Sequence, residues 1–497
     1  MEAVLTGRDS LLVLPTGGGK SLCFQAPAVV RPGLAVVVSP LISLMKDQVD
    51  TLVGNGVSAG FYNSSLTSSE KSAVAAGLRT GRYRLLYVSP ERLVGEGSDG
   101  FLSLLASAGS ASPSGLPGGV SFIAVDEAHC ISQWGHDFRP EYRQLSRLRE
   151  ALPGVSVHAF TATATARVRR DITTQLGLRD PLELVGGFDR PNLIYRVLPR
   201  AVLKRQLLEV LARHRGEAGI IYCTSRREVD ALAAWLTSED IPALPYHAGL
   251  GEHERSQNQD AFISERIDVI VATVAFGMGI DRSNVRFVIH AGAPRSIEHY
   301  QQESGRAGRD GLEAECLLIY SSADFMKWRL MLENNGELTE ANVTLLRQME
   351  QYAASVGCRH RHLAEYFGDR YEGKGCGACD YCLDELEAAG SPVVLARQIL
   401  SCVARVGQRF GATHIASVLR GHASDQVTAR GHNKLSTFGL LPNTSVPEVR
   451  GYIQQLTALG LLRMTDDPYS VLMLTPRGLA LLKDETSFPG LTLARQR

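Results

Sequence analysis

Leu14-Pro15-Thr16-Gly17-Gly18-Gly19-Lys20-Ser21 follows a strand-like apolar run and precedes a helix-compatible one. Thr16, Gly17, Gly18 and Gly19 leave room for backbone N–H groups to curl around phosphate oxygens, and the helix start adds positive dipole. Lys20 would then reach the β/γ-phosphates of a nucleotide and the Ser21 hydroxyl would ligate Mg²⁺. Leu14 stands where a strict phosphate loop has its first glycine, a departure that would be odd for a small GTPase. About a hundred residues on, Phe122-Ile123-Ala124-Val125 ends in Asp126-Glu127-Ala128-His129. Two carboxylates at a strand end suit phosphoryl transfer to water, with Asp126 toward Mg²⁺ and Glu127 toward the attacking water. A third segment, Gln302-Glu303-Ser304-Gly305-Arg306-Ala307-Gly308-Arg309, places two arginines three apart, expected on one helix face and able to reach one polyphosphate. Arg309 is the candidate arginine finger, with Arg306 as its phosphate-sensing neighbour and Gln302 nearby. Such fingers are worth roughly 10³ to 10⁵ in rate.

A separate chemistry is written in the cysteines. Of nine, Cys358, Cys376, Cys379 and Cys382 cluster, with two successive Cys-x-x-Cys steps sharing Cys379. Four thiolates form a closed tetrahedral Zn²⁺ site with no open position for water, hence structural. Such binding contributes on the order of 10 to 16 kcal/mol in zinc-finger peptides. A redox dithiol or a [4Fe–4S] cluster are the alternatives.

These residues need elements to position them. Short β-rich runs at Ser10 to Leu14, Leu34 to Ser39, Arg84 to Val88, Phe122 to Val125 and Val155 to Phe160 alternate with helical stretches. The rhythm restarts after Pro191 with Gly219 to Tyr222, Ile267 to Ala272 and Arg286 to His290. Alternation of this kind builds parallel sheets covered by helices, so the fold class is α/β with two tandem domains. Gly95 to Gly119 is rich in Gly and Ser and reads as a surface loop or insertion. From Val393 onward, helical periodicity, then Gly451 to Leu462 and a strand-like Val471 to Leu474, suggest a winged helix that binds duplex DNA or, alternatively, a protein partner.

The stretches Ser39-Pro40-Leu41-Ile42-Ser43-Leu44-Met45-Lys46-Asp47-Gln48, Asp126 through Cys130-Ile131-Ser132-Gln133-Trp134-Gly135-His136-Asp137-Phe138-Arg139-Pro140, Thr161-Ala162-Thr163-Ala164 and Ala275-Phe276-Gly277-Met278-Gly279-Ile280-Asp281 resemble the motifs of the RecQ helicase family, in that family's order. The resemblance runs from near Met1 to about Lys483. It implies two RecA-like domains, 1–186 and 187–327, a helical zinc-binding module at 328–390 and a winged-helix domain at 391–490. It implies ATP-dependent translocation on single-stranded DNA with 3′ to 5′ polarity, unwinding in repair, recombination or replication, and ATP, Mg²⁺ and Zn²⁺ as ligands. Trp134, His136, Phe138 and Arg139 correspond to an aromatic-rich loop that couples DNA to the ATP site. The residue types agree, because stacked bases on aromatic rings are worth about 1 to 3 kcal/mol each. The family also carries an aromatic, an Arg and a Gln that recognise adenine upstream of the phosphate loop. Here Met1 to Asp9 stands where the helix closing that segment ends, so an upstream start is expected, the alternative being a shortened form with weakened base selectivity. The family's frequent extra helical C-terminal domain is expected to be absent.

Composition sets the outer bounds. The chain has 497 residues, 44% of them hydrophobic, with 52 basic against 52 acidic side chains. A balanced charge argues against a protein that coats nucleic acid indiscriminately. The charge is uneven, since residues from 391 onward hold twelve Lys plus Arg against six Asp plus Glu, the mark of a localised DNA footprint. Without an apolar run of about 18 residues, no membrane span is expected. A cytoplasmic, nucleoid-associated monomer acting on single-stranded and junction or duplex DNA, with a single-strand-binding protein as partner, is the resulting expectation. An RNA helicase, or a DNA-binding or annealing fragment impaired in ATP hydrolysis, are the rival readings.

Overall fold

The computed structural model describes residues 1–95, 97–108, 119–135, 137–277, 282–465 and 471–496, with the side chains of 43 and 496 not included. Among these residues the first domain is a seven-stranded parallel sheet. Its strands are β1 (Ser10–Val13), β2 (Leu34–Val38), β3 (Ala59–Tyr62), β4 (Leu85–Val88), β5 (Val120–Val125), β6 (Ser156–Thr161) and β7 (Leu182–Val185), in the order β3-β4-β2-β5-β6-β1-β7. The second is a six-stranded parallel sheet of β8 (Leu193–Pro199), β9 (Ala218–Tyr222), β10 (Ala243–Tyr246), β11 (Val269–Ala272), β12 (Val285–His290) and β13 (Ala314–Tyr320), in the order β10-β11-β9-β12-β13-β8. Central strands such as Leu34-Ala35-Val36-Val37-Val38 are buried throughout, as sheets covered on both faces require. Five strands escape the sequence reading. One of them, β10, contains Pro245, which lacks the N–H for a central ladder and sits here on an edge strand.

Adjacent strands β1, β5 and β6 end at the same edge of the first sheet. That edge therefore receives the segment after Val13, the Asp126-Glu127 pair and Thr161 through Ala164, where open α/β sheets collect their ligands. After β13 the helices Ser322–Asn334, Glu340–Ala354 and Arg359–Tyr366 lead into the cysteine loop, the first of them running across position 328. Beyond it lies a unit with its own buried core, containing Pro392–Arg405, Ala412–Arg420, Val446–Ala458 and the hairpin Leu462–Met464 with Leu472–Leu474. The segment Gly451 to Leu462 falls partly in the helix Val446–Ala458 and ends at the first strand of that hairpin. The Gly95 to Gly119 segment is not the loop throughout that its Gly and Ser content suggests: Ser98–Ala106 is a helix that buries Phe101, Leu102 and Leu105. Residues 96 and 109–118 lie outside the described residues, as do Met278 to Asp281 and His136.

Candidate ATP cleft and zinc site

Gly17 and Gly19 adopt left-handed backbone, with φ of 81° and 77°, and a Cβ on Gly18 would lie 2.9 Å from the Pro15 carbonyl oxygen. The loop between β1 and the helix Lys20–Val30 can therefore close only with small residues. Lys20 turns back over this loop, its Nζ donating to the carbonyls of Leu14 (3.1 Å) and Pro15 (3.3 Å). Burial lowers its pKa against the opposing pull of Glu127 and Asp126. Ser21 occupies the first turn of the same helix.

At the end of β5, Glu127 takes a left-handed conformation, φ 46°, which turns its side chain toward the turn Ala128–Ile131. Glu127 Oε2 lies 3.3 Å from His129 Nδ1, and the same nitrogen is 2.9 Å from Thr161 Oγ1. Burial would raise the Glu127 carboxyl, but the His129 hydrogen bond and charge, with Lys20 and Arg306, hold it below its ordinary value. Asp126 moves the other way, pushed up by burial and by Glu127. The Asp-Glu pair, His129 and the Thr161 segment thus form one polar network joining β5 to β6.

Across the cleft, the helix Ile297–Ser304 ends before the arginines, correcting the expectation that Arg306 and Arg309 share a helix face. Gly305 and the left-handed Gly308, φ 56°, convert the segment into successive turns. These turns pack directly on the phosphate loop: a Cβ on Gly305 would lie 3.4 Å from Thr16 Cβ, and one on Gly17 would lie 3.8 Å from Arg309 Cγ. Arg306 is buried and acts electrostatically on Glu127. Gln302 instead lines a cavity of about 320 Å³ between the sheets, together with His129, Asp137, Arg139 and Arg306.

The aromatic segment folds back on this network. Arg139 N–H donates to the Cys130 carbonyl (2.9 Å), and a Cβ on Gly135 would meet the His129 carbonyl oxygen at 2.5 Å. Arg139 itself pairs with Asp137 (3.3 Å) and donates to the Pro40 carbonyl (3.0 Å). Trp134 is half-buried with the Arg167 guanidinium 3.0 Å from its ring centre, and Phe138 lies 5.8 Å from Arg143. His129, Cys130 and Asp137 also bring three donor atoms within 4.8 Å. Thr161, Glu127 and Arg139 already engage two of them, so we read the trio as part of the hydrogen-bonded loop.

The Sγ atoms of Cys358, Cys376, Cys379 and Cys382 lie within 4.8 Å of one another. Backbone N–H groups point at three of them: Ala378 at Cys376 (3.3 Å), Cys376 at Cys382 (3.4 Å) and Cys382 at Cys379 (3.5 Å). Four sulfur donors this close together, three of them already receiving backbone N–H groups, fit a cation that takes thiolates.

Sequence reading missed Arg190 and Asn192, which follow β7. Arg190 Nη1 donates to the carbonyls of Thr16 and Gly305 (both 3.4 Å), while Nη2 donates to those of Ala307 (3.1 Å) and Gly308 (2.9 Å). Asn192 Nδ2 donates to the Gly308 and Leu312 carbonyls, each at 2.9 Å. Nothing local marks these two residues, whose partners lie over a hundred positions away.

Comparison with known proteins follows the same layout. A DEAD/DEAH box helicase model matches residues 1–172, a helicase conserved C-terminal domain 202–311, a RecQ zinc-binding model 322–383 and an RQC domain 393–490. The ATP-dependent DNA helicase RecQ of Pasteurella multocida is 42% identical over a span covering 98% of this chain and 75% of that protein. The chain belongs to the RecQ helicase family. The enzyme of the same description from Bacillus subtilis is 41% identical, covering 97% of this RecQ chain and 79% of that protein. The fold recurs in the Mycobacterium smegmatis helicase Lhr bound to ssDNA and AMP-PNP, with a TM-score of 0.52 at 17% identity, over 97% of this chain and 58% of that one. The DUF1998 helicase MrfA bound to DNA and AMPPNP gives 0.52 at 18% identity, over 74% and 54%. Among the described residues of this RecQ-family chain no helix is long and apolar enough to cross a membrane.

Proposed function

We propose that this chain is an ATP-dependent DNA helicase that moves 3′ to 5′ on single-stranded DNA and unwinds duplexes. The carrying observation is the packing of Gly305 to Arg309, from the second sheet, against the phosphate loop of the first. A nucleotide held between them would be contacted from both domains, so hydrolysis and domain closure become one event.

Thr16, Gly17, Gly18 and Gly19 cradle the phosphates with backbone N–H groups, and Lys20 exchanges its loop carbonyls for the β/γ-phosphates. Ser21 and Asp126 would hold Mg²⁺, which neutralises phosphate charge. Glu127 Oε2 accepts a proton from the attacking water, and the low pKa imposed by His129 keeps that oxygen ionised until it does. Arg309 stabilises charge on the transferred phosphoryl group, and Arg306 senses its departure. Cys358, Cys376, Cys379 and Cys382 would hold Zn²⁺, which supplies a cross-link and no reaction step. Trp134, Phe138 and Arg139 offer stacking and charge to single-stranded DNA one loop away from Glu127; His136 belongs to the same assignment and lies outside the described residues.

The test is the ATP hydrolysis rate of the 497-residue chain with and without single-stranded DNA, using Lys20→Ala as the blank. Stimulation by DNA that vanishes in the blank is expected. Equal stimulation by RNA would move the assignment to RNA helicases, and no hydrolysis above the blank would leave a DNA-binding or annealing protein. Tailed duplexes with the single strand on either side then read polarity.

A further inference from the structure

Seven residues, Gly186 to Asn192, join β7 to β8, and the side chains of the last five divide between two destinations. Phe188 stacks on Phe367 with ring centres 4.6 Å apart and planes 10° from parallel, and Asp189 Oδ1 lies 2.6 Å from His360 Nδ1. Phe367 caps, and His360 belongs to, the helix Arg359–Tyr366 that begins beside the zinc ligand Cys358. Arg190 and Asn192 turn the other way, onto the backbone of the arginine segment, and Arg190 alone also reaches the phosphate loop.

We propose that Phe188 to Asn192 is a strap that ties the seating of the zinc-module helix to the ATP cleft, with Arg190 as the positioning residue for Arg306 and Arg309. This rests on the ATPase reading above. All four Arg190 acceptors are backbone carbonyls, so it grips the path of the chain and not any one side chain. Three of its four bonds lie within the second domain, at 2.9, 3.1 and 3.4 Å, and one, also 3.4 Å, crosses to Thr16. The guanidinium is therefore fixed to the arginine turns and meets the phosphate loop as the cleft closes. A planar fork with donors in fixed directions can do this, and a lysine ammonium cannot. Because Asp189 adjoins Arg190, whatever anchors Asp189 to His360 also sets where that fork points.

The experiment uses the full chain with DNA-stimulated hydrolysis, zinc content and unfolding midpoint measured together. Arg190→Ala should lower kcat by about tenfold or more with ATP KM changed less than about threefold, the pattern of a lost orientation. Arg190→Lys should not recover it, while millimolar guanidinium ion should restore part of the Arg190→Ala rate and none of the Lys20→Ala rate. Asp189→Asn should retain its zinc and lower kcat by a few-fold, and the double variant should be about as slow as Arg190→Ala alone, because coupled residues do not add. The strap is overturned by an Arg190→Ala kcat within about twofold of the parent, by an additive double variant, or by zinc loss that accounts for the Asp189→Asn rate. Absence of DNA-stimulated, Lys20-dependent hydrolysis in the parent would instead remove the functional reading itself.

Discussion

The cleft between the two parallel sheets and the seam between the second sheet and the zinc module both join segments distant in sequence, but they are built from different materials. The cleft is crossed by single polar side chains, Arg190 to the Thr16 carbonyl and Arg306 beside Glu127, around a 320 Å³ cavity. The seam is backbone against backbone. Cys379 forms a bridge to Tyr195 in β8, with Tyr195 N–H donating to Ala378 (3.1 Å) and Asp380 N–H to Tyr195 (2.9 Å). Asp380 also accepts from Val197 N–H (3.1 Å) and pairs with Arg359 (2.9 Å), both side chains almost wholly enclosed. Strand-like pairing closes an otherwise open sheet edge, and an enclosed ion pair resists separation. The cleft, which the proposed mechanism opens at every turnover, is held by few exchangeable contacts. The joint to the zinc module is made part of the sheet.

That contrast is sharpest for Arg309, the proposed arginine finger. Arg309→Ala should reduce turnover by roughly 10³-fold or more, while the unfolding midpoint stays within about 0.5 kcal/mol of the parent, as for substitutions away from a packed seam. Glu127→Gln should follow at about 10² to 10⁴, with nucleotide binding retained. Near-normal hydrolysis in either variant would remove that residue's role, and a large loss of stability would mean that the cleft is as welded as the seam.

The seam carries the complementary prediction. Asp380→Ala leaves the Arg359 guanidinium enclosed without its carboxylate, which costs about 3 to 5 kcal/mol for pairs of this kind. Denaturant titration with zinc release as the probe should show the transition moving by that amount, and a shift below about 1 kcal/mol, the value of an exposed pair, would make the seam an ordinary surface contact.

The two joints also differ in how far the sequence foretells them. The phosphate loop, Asp126-Glu127 and the cysteine cluster are legible because each function needs neighbours in sequence: a glycine run before Lys20, paired carboxylates, a repeated Cys-x-x-Cys. The turns carrying Arg306 and Arg309 read as a helix because spacing alone does not weigh Gly305 and Gly308 as terminators. Arg190, Asp380 and Glu315 give no local signal at all, since their partners come from other elements of the folded chain. Strands β8 and β13 were missed for a related reason. The run Leu193-Ile194-Tyr195-Arg196-Val197 carries a charged residue that the fold uses, Arg196, whose guanidinium meets Glu315 (3.3 Å) and Glu385 (2.6 Å).

That last network gives the smallest expected effect and a pH test of the seam's border. Glu315 is enclosed in β13 and accepts from Arg213 (2.7 Å) and from His214 Nε2 (2.9 Å), while His214 Nδ1 lies 2.7 Å from Glu217. Burial opposes both charges. Hydrogen bonds from His214 and Arg213 nevertheless bring Glu315 down to about 2, and hydrogen bonds to Glu315 and Glu217 raise His214 above its ordinary 6.5. These are two views of one contact and count once. A raised histidine contributes stability that is complete below its unfolded value of 6.5 and is lost as pH rises through the folded one. The lowered carboxylate contributes above 4.5 and loses its share as pH falls toward 2. Stability of the second domain should therefore decline on the alkaline side of 6.5, by less than about 1 kcal/mol because the pair is partly solvated. His214→Gln should flatten that decline and shrink the acid limb as well, because His214 leads the groups that lower Glu315, leaving there the share of Arg213 and Arg196. An unchanged alkaline slope in His214→Gln would assign the loss to another group and leave the two arginines as the seam's border on their own.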